Sequence, residues 1–162
     1  MLRKNDSTNN RKSARRNKTS RYVQVSNKEP FLLNHTSYDY RMIGNNMHAL
    51  PVQAADMLSK LENHIRIVDC GCKIGDTQMR KFLPELSLAL CTRFNQDAFR
   101  SVALSYDDAL VYLRGGTTLP SIDVNETFVY YFDELPLGFA KKIGNRINNY
   151  YPGYAIIRMQ ST

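Results

Sequence analysis

The sequence predicts an α+β fold, because runs of strand-forming residues alternate with segments whose apolar residues have helical spacing. The strongest strand signal is residues 127–132, which are almost entirely β-branched or aromatic. Ser105 and Asp108 have the spacing of a capping box that opens a helix. At 162 residues the chain has room for one ordinary domain, or one domain and a tail.

Residues 1–21 differ sharply in composition from the rest, with eight Lys and Arg residues against Asp6 alone. The whole net charge of +7 therefore resides in this segment. So polar a stretch cannot bury enough apolar surface to offset its chain entropy, which predicts a disordered basic tail. The tail would attract RNA, DNA or anionic lipid without reading sequence, and a solubilising or linker role is the alternative. Its candidate polyanion-binding residues are Arg11, Lys12, Arg15, Arg16, Lys18 and Arg21.

Residues 22–38 are predicted to be an irregular linker containing a short strand-like alternation at 22–25. The domain proper is predicted to begin at Asp39 with a hairpin over 40–50. Gly44 tolerates the positive φ of a tight turn, and so does the asparagine that follows it.

Residues 51–64 are predicted to form a helix, with Pro51 in its first turn. Its apolar face is predicted to consist of Ala54, Met57, Leu58, Leu61 and Ile65. The β-rich run 65–68 predicts a strand, and residues 84–93 predict a second helix.

The last 60 or so residues predict strands and one helix. A short strand is expected at 102–104, followed by a helix from Ser105 to Leu113 that ends before a Gly-Gly pair. Strands at 127–132 and 154–159 then flank the segment 137–143.

The three cysteines, Cys70, Cys72 and Cys91, are odd in number, and their spacing matches no zinc framework. We therefore predict buried, reduced thiols, with Cys70 and Cys72 pointing the same way from one strand, in a reducing compartment. No apolar run reaches the length of a membrane span or a signal-peptide core, so a cytoplasmic protein without membrane contact is expected. Neither a metal nor a cofactor is predicted.

A basic, amide-rich and aromatic segment closes the chain, and no Asp or Glu follows Glu134. Cations neutralise phosphates, Asn bonds polar edges and Tyr offers a stacking face, so the pattern is typical of an RNA surface. Composition alone leaves open a solvated strand pair in which Tyr150 and Tyr151 merely pack a core.

Three blocks of sequence carry a resemblance to a known family. The last block is Leu135-Pro136-Leu137-Gly138-Phe139-Ala140-Lys141, followed by Gly144-Asn145-Arg146, Asn148-Asn149 and Tyr151-Pro152. The middle block is Tyr106-Asp107-Asp108-Ala109-Leu110-Val111-Tyr112-Leu113-Arg114-Gly115. The first block is Ile67-Val68-Asp69-Cys70-Gly71-Cys72-Lys73-Ile74-Gly75, with Phe82, Pro84, Ser87, Leu88, Ala89 and Leu90. Taken in their order along the chain, the three blocks resemble the C-terminal PUA-like RNA-binding region of bacterial rRNA cytosine-5 methyltransferases of the RsmF (YebU) type.

The resemblance implies a small PUA-like domain over 39–162, whose sheet curls into a partly closed β-barrel with two or three short helices. Residues 39–100 would correspond to the segment that precedes the PUA-like part in the enzyme, and 101–162 to the PUA-like part itself. It also implies a role in rRNA processing, with RNA as the partner. The RNA-binding residues so indicated are Lys141, Lys142, Asn145, Arg146, Asn148, Asn149, Tyr150, Tyr151, Arg158 and Arg114. One departure is Asn148, which stands where the family usually has Lys.

Catalytic motifs of such a methyltransferase are not found in the sequence. No glycine-rich loop suited to S-adenosylmethionine opens a helix, and no cysteine follows Pro or Thr as the family's catalytic cysteines do. The prediction is therefore a non-catalytic RNA-binding protein or module, freestanding or part of a longer enzyme. The alternative is an adaptor that docks on a methyltransferase or ribosomal protein, with the tail alone touching RNA.

Overall fold

A computed structural model describes residues 22–24, 30–77, 82–118 and 125–159, with the backbone alone for 22–24. The predicted tail, with its six polyanion-binding residues, lies outside the described residues. The strands are β1 Tyr22–Gln24, β2 Tyr38–Ile43, β3 Asn46–Pro51, β4 Cys72–Asp76, β5 Leu83–Pro84, β6 Arg100–Ala103, β7 Thr127–Phe132, β8 Leu135–Ile143 and β9 Arg146–Asn149. The helices are α1 Val52–Leu61, α2 Leu86–Ala89 and α3 Tyr106–Leu113.

The first sheet has the order β1-β2-β3-β4-β5, and every neighbouring pair in it is antiparallel. Its centre is the hairpin predicted for 40–50, in which Tyr40 pairs with Ala49. Gly44 adopts a φ of 62° in the turn, where a side chain would be strained. The hairpin prediction is confirmed.

The second sheet has the order β6-β7-β8-β9. β6 runs parallel to β7, whereas β7, β8 and β9 form antiparallel pairs. Asp133 and Glu134 make the two-residue turn between β7 and β8, and both have positive φ (48° and 63°) as such hairpin turns require. The predicted strand 127–132 is confirmed as β7.

The second sheet is covered on both faces, which we name the front and the back. On the front face, Val129 and Phe139 belong to a cluster shared with α2 and the first sheet. The ring of Phe139 meets that of Phe94 edge-on, with centroids 5.8 Å apart. On the back face, Tyr130 packs against Tyr112 of α3 at 4.8 Å. The layers are thus first sheet, second sheet and α3.

α3 begins as the capping box predicts. The Ser105 hydroxyl accepts a hydrogen bond from the Asp108 amide at 3.2 Å and donates one to its carboxylate at 2.7 Å. Gly115 follows the helix with a φ of 83°. The described strands form two open sheets joined by side-chain packing, and no closed barrel is found among them. The mixed α+β class is confirmed, whereas the described strands give no support for the expected barrel closure.

Of the segment 22–38, the described residues 22–24 and 30–38 are more ordered than an irregular linker. β1 pairs with β2, so the strand-like alternation does have a partner. Phe31 and Leu32 are buried in the front-face cluster, and Leu32 bridges to Phe94. The linker prediction is wrong for these residues because their partners are distant in sequence.

Three further element predictions need correction. Residues 65–68 form no strand, since the turn after α1 continues to Ile65 and the strand forms at β4 instead. Cys70 therefore lies outside the strand that begins at Cys72, and all three thiols are half-buried rather than buried. The helix predicted over 84–93 is reduced to the single turn of α2.

The segment 154–159 also forms no strand. Ala155 closes a turn by donating its amide to the Pro152 carbonyl, and Ile157 donates to the Leu113 carbonyl at the end of α3. The backbone of this segment thus bonds a helix end rather than a strand.

Candidate nucleic-acid interface

The candidate surface is built on the hairpin of β8 and β9, which is the edge of the second sheet among the described strands. Gly144 in the turn has a φ of 59° and donates its amide to the Asn125 side chain at 2.6 Å. Asn145, the other turn residue, is exposed. The turn is therefore held in place while its polar tip faces solvent.

The register of this hairpin separates the predicted RNA-binding residues onto two faces. Directly paired residues share a face, and successive residues alternate. Lys141 pairs with Asn148, and Arg146 lies two residues from Asn148, so all three are on the front face. Lys142 pairs with the buried Ile147 and is on the back face. Lys141 and Lys142, both predicted RNA-binding residues, therefore lie on opposite faces of the sheet.

We name Lys141, Arg146 and Asn148 the front strip. Lys141 and Asn148 are half-buried and Arg146 is exposed. Tyr150 is next along this face but packs against the front-face cluster, and burial raises the pKa of its hydroxyl. The front strip is thus a short row of two cations and one amide, and it lies beside the half-buried ring of Tyr150.

Asn149 points to the back face, where its side chain is used within the protein. Its amide nitrogen donates to the carbonyls of Tyr112 and Gly116, at 3.0 and 2.7 Å, and its oxygen accepts from the Tyr151 amide at 2.7 Å. These bonds hold the end of α3 on β9. Any RNA contact by Asn149 would compete with them.

Tyr151 also serves the packing of the back face. Its ring lies 5.4 Å from that of Tyr112, whose hydroxyl donates to the Phe139 carbonyl at 3.0 Å. Burial raises the pKa of Tyr112 and, with a smaller contribution from Tyr154, that of Tyr151. For Tyr150 and Tyr151 the structure thus shows the core packing that composition had left open.

Arg114 and Arg158 both lie near the C-terminal end of α3 in the backbone. Arg114 is the residue that ends the helix, and the hydrogen bond from Ile157 to the Leu113 carbonyl (3.0 Å) brings the following Arg158 beside it. Both arginines are exposed. Arg114 also complements the negative end of the helix dipole, which is its structural role.

Tyr154 is a candidate contact that sequence reasoning missed. It is 83% exposed, lies four residues before Arg158 in the sequence, and contributes to the raised pKa of Tyr151. The signal was present in Pro152-Gly153, a pair that marks a turn and so brings the next residue to the surface. We name Arg114, Arg158 and Tyr154 the back patch.

Charge is sharply divided along β8. The acidic turn Asp133–Glu134 precedes its first residue, whereas Lys141 stands six residues further on, about 20 Å away at strand rise. Glu126, near the basic end, is paired with Arg100. Among the described residues, no ion pair is found for the cations of the front strip or the back patch.

The cysteines have the chemistry of packed thiols. Burial, followed by the neighbouring Cys91, raises the pKa of Cys72 to about 12, and its sulfur lies 3.5 Å from the Ser87 carbonyl. Burial and Asp69 raise the pKa of Cys70. Both thiols therefore stay protonated near neutral pH, which disfavours nucleophilic attack. In the described ranges no three acidic, Cys or His side chains are grouped so as to hold a metal ion.

Residues 99–157 match the family model described as the methyltransferase RsmF PUA domain. The match spans the second sheet, α3 and the segment that ends at the back patch, so this part of the chain is similar to the PUA-like region of RsmF-type methyltransferases. No curated protein matches the chain. Among the helices of the described residues, none has both the length and the apolar character needed to cross a membrane.

Proposed function

We propose that this chain is a non-catalytic RNA-binding module that recruits rRNA for a bacterial cytosine-5 methyltransferase in the cytoplasm. The observation that carries the proposal is the front strip, an edge row of cations inside the region that matches a PUA domain, for which no ion pair is found among the described residues. The module requires no cofactor of its own. It is either freestanding or one part of a longer enzyme.

The front strip has suitable chemistry for this role. Lys141 and Arg146 neutralise phosphates and release their counterions, which supplies most of the affinity of such contacts. Asn148 stands between them on the paired strand and offers both a donor and an acceptor. Phosphate contacts position the RNA, and an amide adds the possibility of reading a base edge. Asn145 at the turn extends the row.

A charge-neutralising variant tests the proposal. For Lys141→Ala/Arg146→Ala, we expect weaker binding to an rRNA fragment and a slope of log affinity against log salt that is lower by about 1.4 to 1.8, from about 0.7 per lost contact on a single strand to about 0.9 on a duplex. The matched control is Lys60→Ala/Arg66→Ala, which removes the same charge from exposed residues at and beyond α1. Equal affinity and equal slope for the two variants would refute the proposed site.

A second candidate function is favoured by one observation. Met57, Leu61 and Ile65 follow one another at helical spacing, yet they are 65, 41 and 54% exposed. Exposed apolar rows of this kind mark protein-docking surfaces. Under this alternative the domain docks on a methyltransferase core through the row, and the basic tail alone contacts RNA.

A further inference from the structure

The front strip and the back patch lie on opposite sides of the same edge strand. Lys141 and Arg146 face the front, whereas α3 packs on the back face and ends where Asn149 bonds its last carbonyls. Arg114 ends that helix, and Arg158 lies beside it. The two groups of cations are thus separated by the thickness of the sheet but share the β9 edge.

We propose that the RNA held here is single-stranded and crosses the β9 edge, with its phosphates bound on both sides. This inference rests on the proposed function and specifies the class of RNA. The front strip binds one part of the RNA backbone, and the two arginines of the back patch bind another part. Tyr154 stacks on an unpaired base.

Stiffness distinguishes the two classes of RNA. A duplex does not bend sharply around the edge of one strand without a substantial energetic cost, so it reaches one group of cations at a time. A single strand bends freely, and its unstacked bases are available to aromatic side chains. An exposed tyrosine four residues before Arg158 is therefore of use to a single strand and of little use to a duplex.

The position of Tyr154 adds a second line of support. Its ring is 83% exposed, and the neighbouring Gly153 has open space around it. The remaining tyrosines of the segment, Tyr150 and Tyr151, are engaged in packing. Among residues 150–159, Tyr154 is thus the ring with a full face available for stacking.

The test measures salt-dependent binding of the full chain to a 20-nucleotide single strand and to a blunt duplex of the same length. Two variants, Lys141→Ala/Arg146→Ala and Arg114→Ala/Arg158→Ala, each remove one group of cations. On the single strand we expect each to lower the slope by about 1.4 and their combination to lower it by about 2.8. On the duplex we expect an effect from at most one of them. Lys60→Ala/Arg66→Ala is the control for lost charge.

Stacking is tested separately at Tyr154. Tyr154→Phe should bind the single strand as wild type does, whereas Tyr154→Leu should bind it about 5- to 150-fold more weakly. Equal losses for the two substitutions, or an equal loss on the duplex, would overturn the stacking role.

The outcomes separate this inference from the proposed function. If both double variants lower the duplex slope as they lower the single-strand slope, the RNA does not need to cross the edge and the inference fails, while RNA binding stands. If neither double variant alters binding to either RNA, the proposed site itself fails.

Discussion

At the scale of single residues, Asn149 shows how a polar side chain in this segment serves structure. Its amide joins the end of α3, strand β9 and the backbone at Tyr151 through three hydrogen bonds. Such bonds stabilise most where their loss leaves a buried group without a partner. Asn148, one residue earlier, points to the front face and has no such duty in the described contacts. Adjacent amides therefore have separate roles.

Replacement of the two amides should separate stability from binding. We expect Asn149→Ala to lower the free energy of unfolding by about 1–3 kcal/mol, because the Gly116 carbonyl and the Tyr151 amide lose the partner that Asn149 provides. Asn148→Ala should change stability by less than about 0.5 kcal/mol and weaken RNA binding instead. Denaturant titration of both variants measures the change in unfolding free energy, and an RNA-binding assay measures the change in affinity. A stable Asn149→Ala protein with weakened RNA binding would restore Asn149 as a contact residue.

At the scale of elements, α1 is oriented by a polar anchor rather than by its most apolar face. The guanidinium of Arg41 pairs with the Asp39 carboxylate at 2.9 Å and donates to the Ser59 hydroxyl and the Ala55 carbonyl. Ala55 and Leu58 are consequently the buried residues of the helix. Of the predicted apolar face, Leu58 is buried as expected, whereas Ala54, Met57, Leu61 and Ile65 are exposed.

Loss of the anchor should be costly, because the side chains of Arg41 and Asp39 are only 12 and 10% exposed. We expect Arg41→Ala to destabilise the fold by about 3–5 kcal/mol, since it leaves a buried carboxylate without its cation. Asp39→Leu/Arg41→Met should recover most of the loss, and Arg66→Ala is the control for removal of an exposed arginine. Thermal unfolding of the three variants decides the matter. A cost below about 1 kcal/mol for Arg41→Ala would show that apolar contacts alone hold the helix.

These elements also show what sequence can predict. Local signals succeeded for the hairpin at Gly44, the capping box at Ser105 and the strand β7, because turn chemistry, capping and β-propensity act over a few residues. The orientation of helix α1 depends on Arg41, which lies on strand β2. The order of residues 22–38 likewise depends on partners distant in sequence, which periodicity does not reveal.

At the scale of the whole molecule, charge placement was predictable but its geometry was not. Composition located the acid-free segment after Glu134 and the cations within it. It could not assign Lys141 and Lys142 to opposite faces, because that depends on both residues lying in the regular part of β8. It also missed Tyr154, whose exposure follows from the turn at Pro152.

Removal of residues 1–21 distinguishes the two candidate functions. The segment holds the whole excess of positive charge, so its loss should weaken RNA binding and lower the salt slope. If the domain itself binds RNA, the truncated chain keeps a slope of about 3 on a single strand, from two cations on the front strip and two on the back patch.

The matched control for the truncation is a chain whose first 21 residues are scrambled in order. It keeps the charge and should bind as wild type does, since a phosphate-neutralising tail reads no sequence. Complete loss of RNA binding on truncation would instead favour the docking alternative. In that case the contact with a methyltransferase core is expected to depend on the exposed row of Met57, Leu61 and Ile65, which the truncation leaves intact.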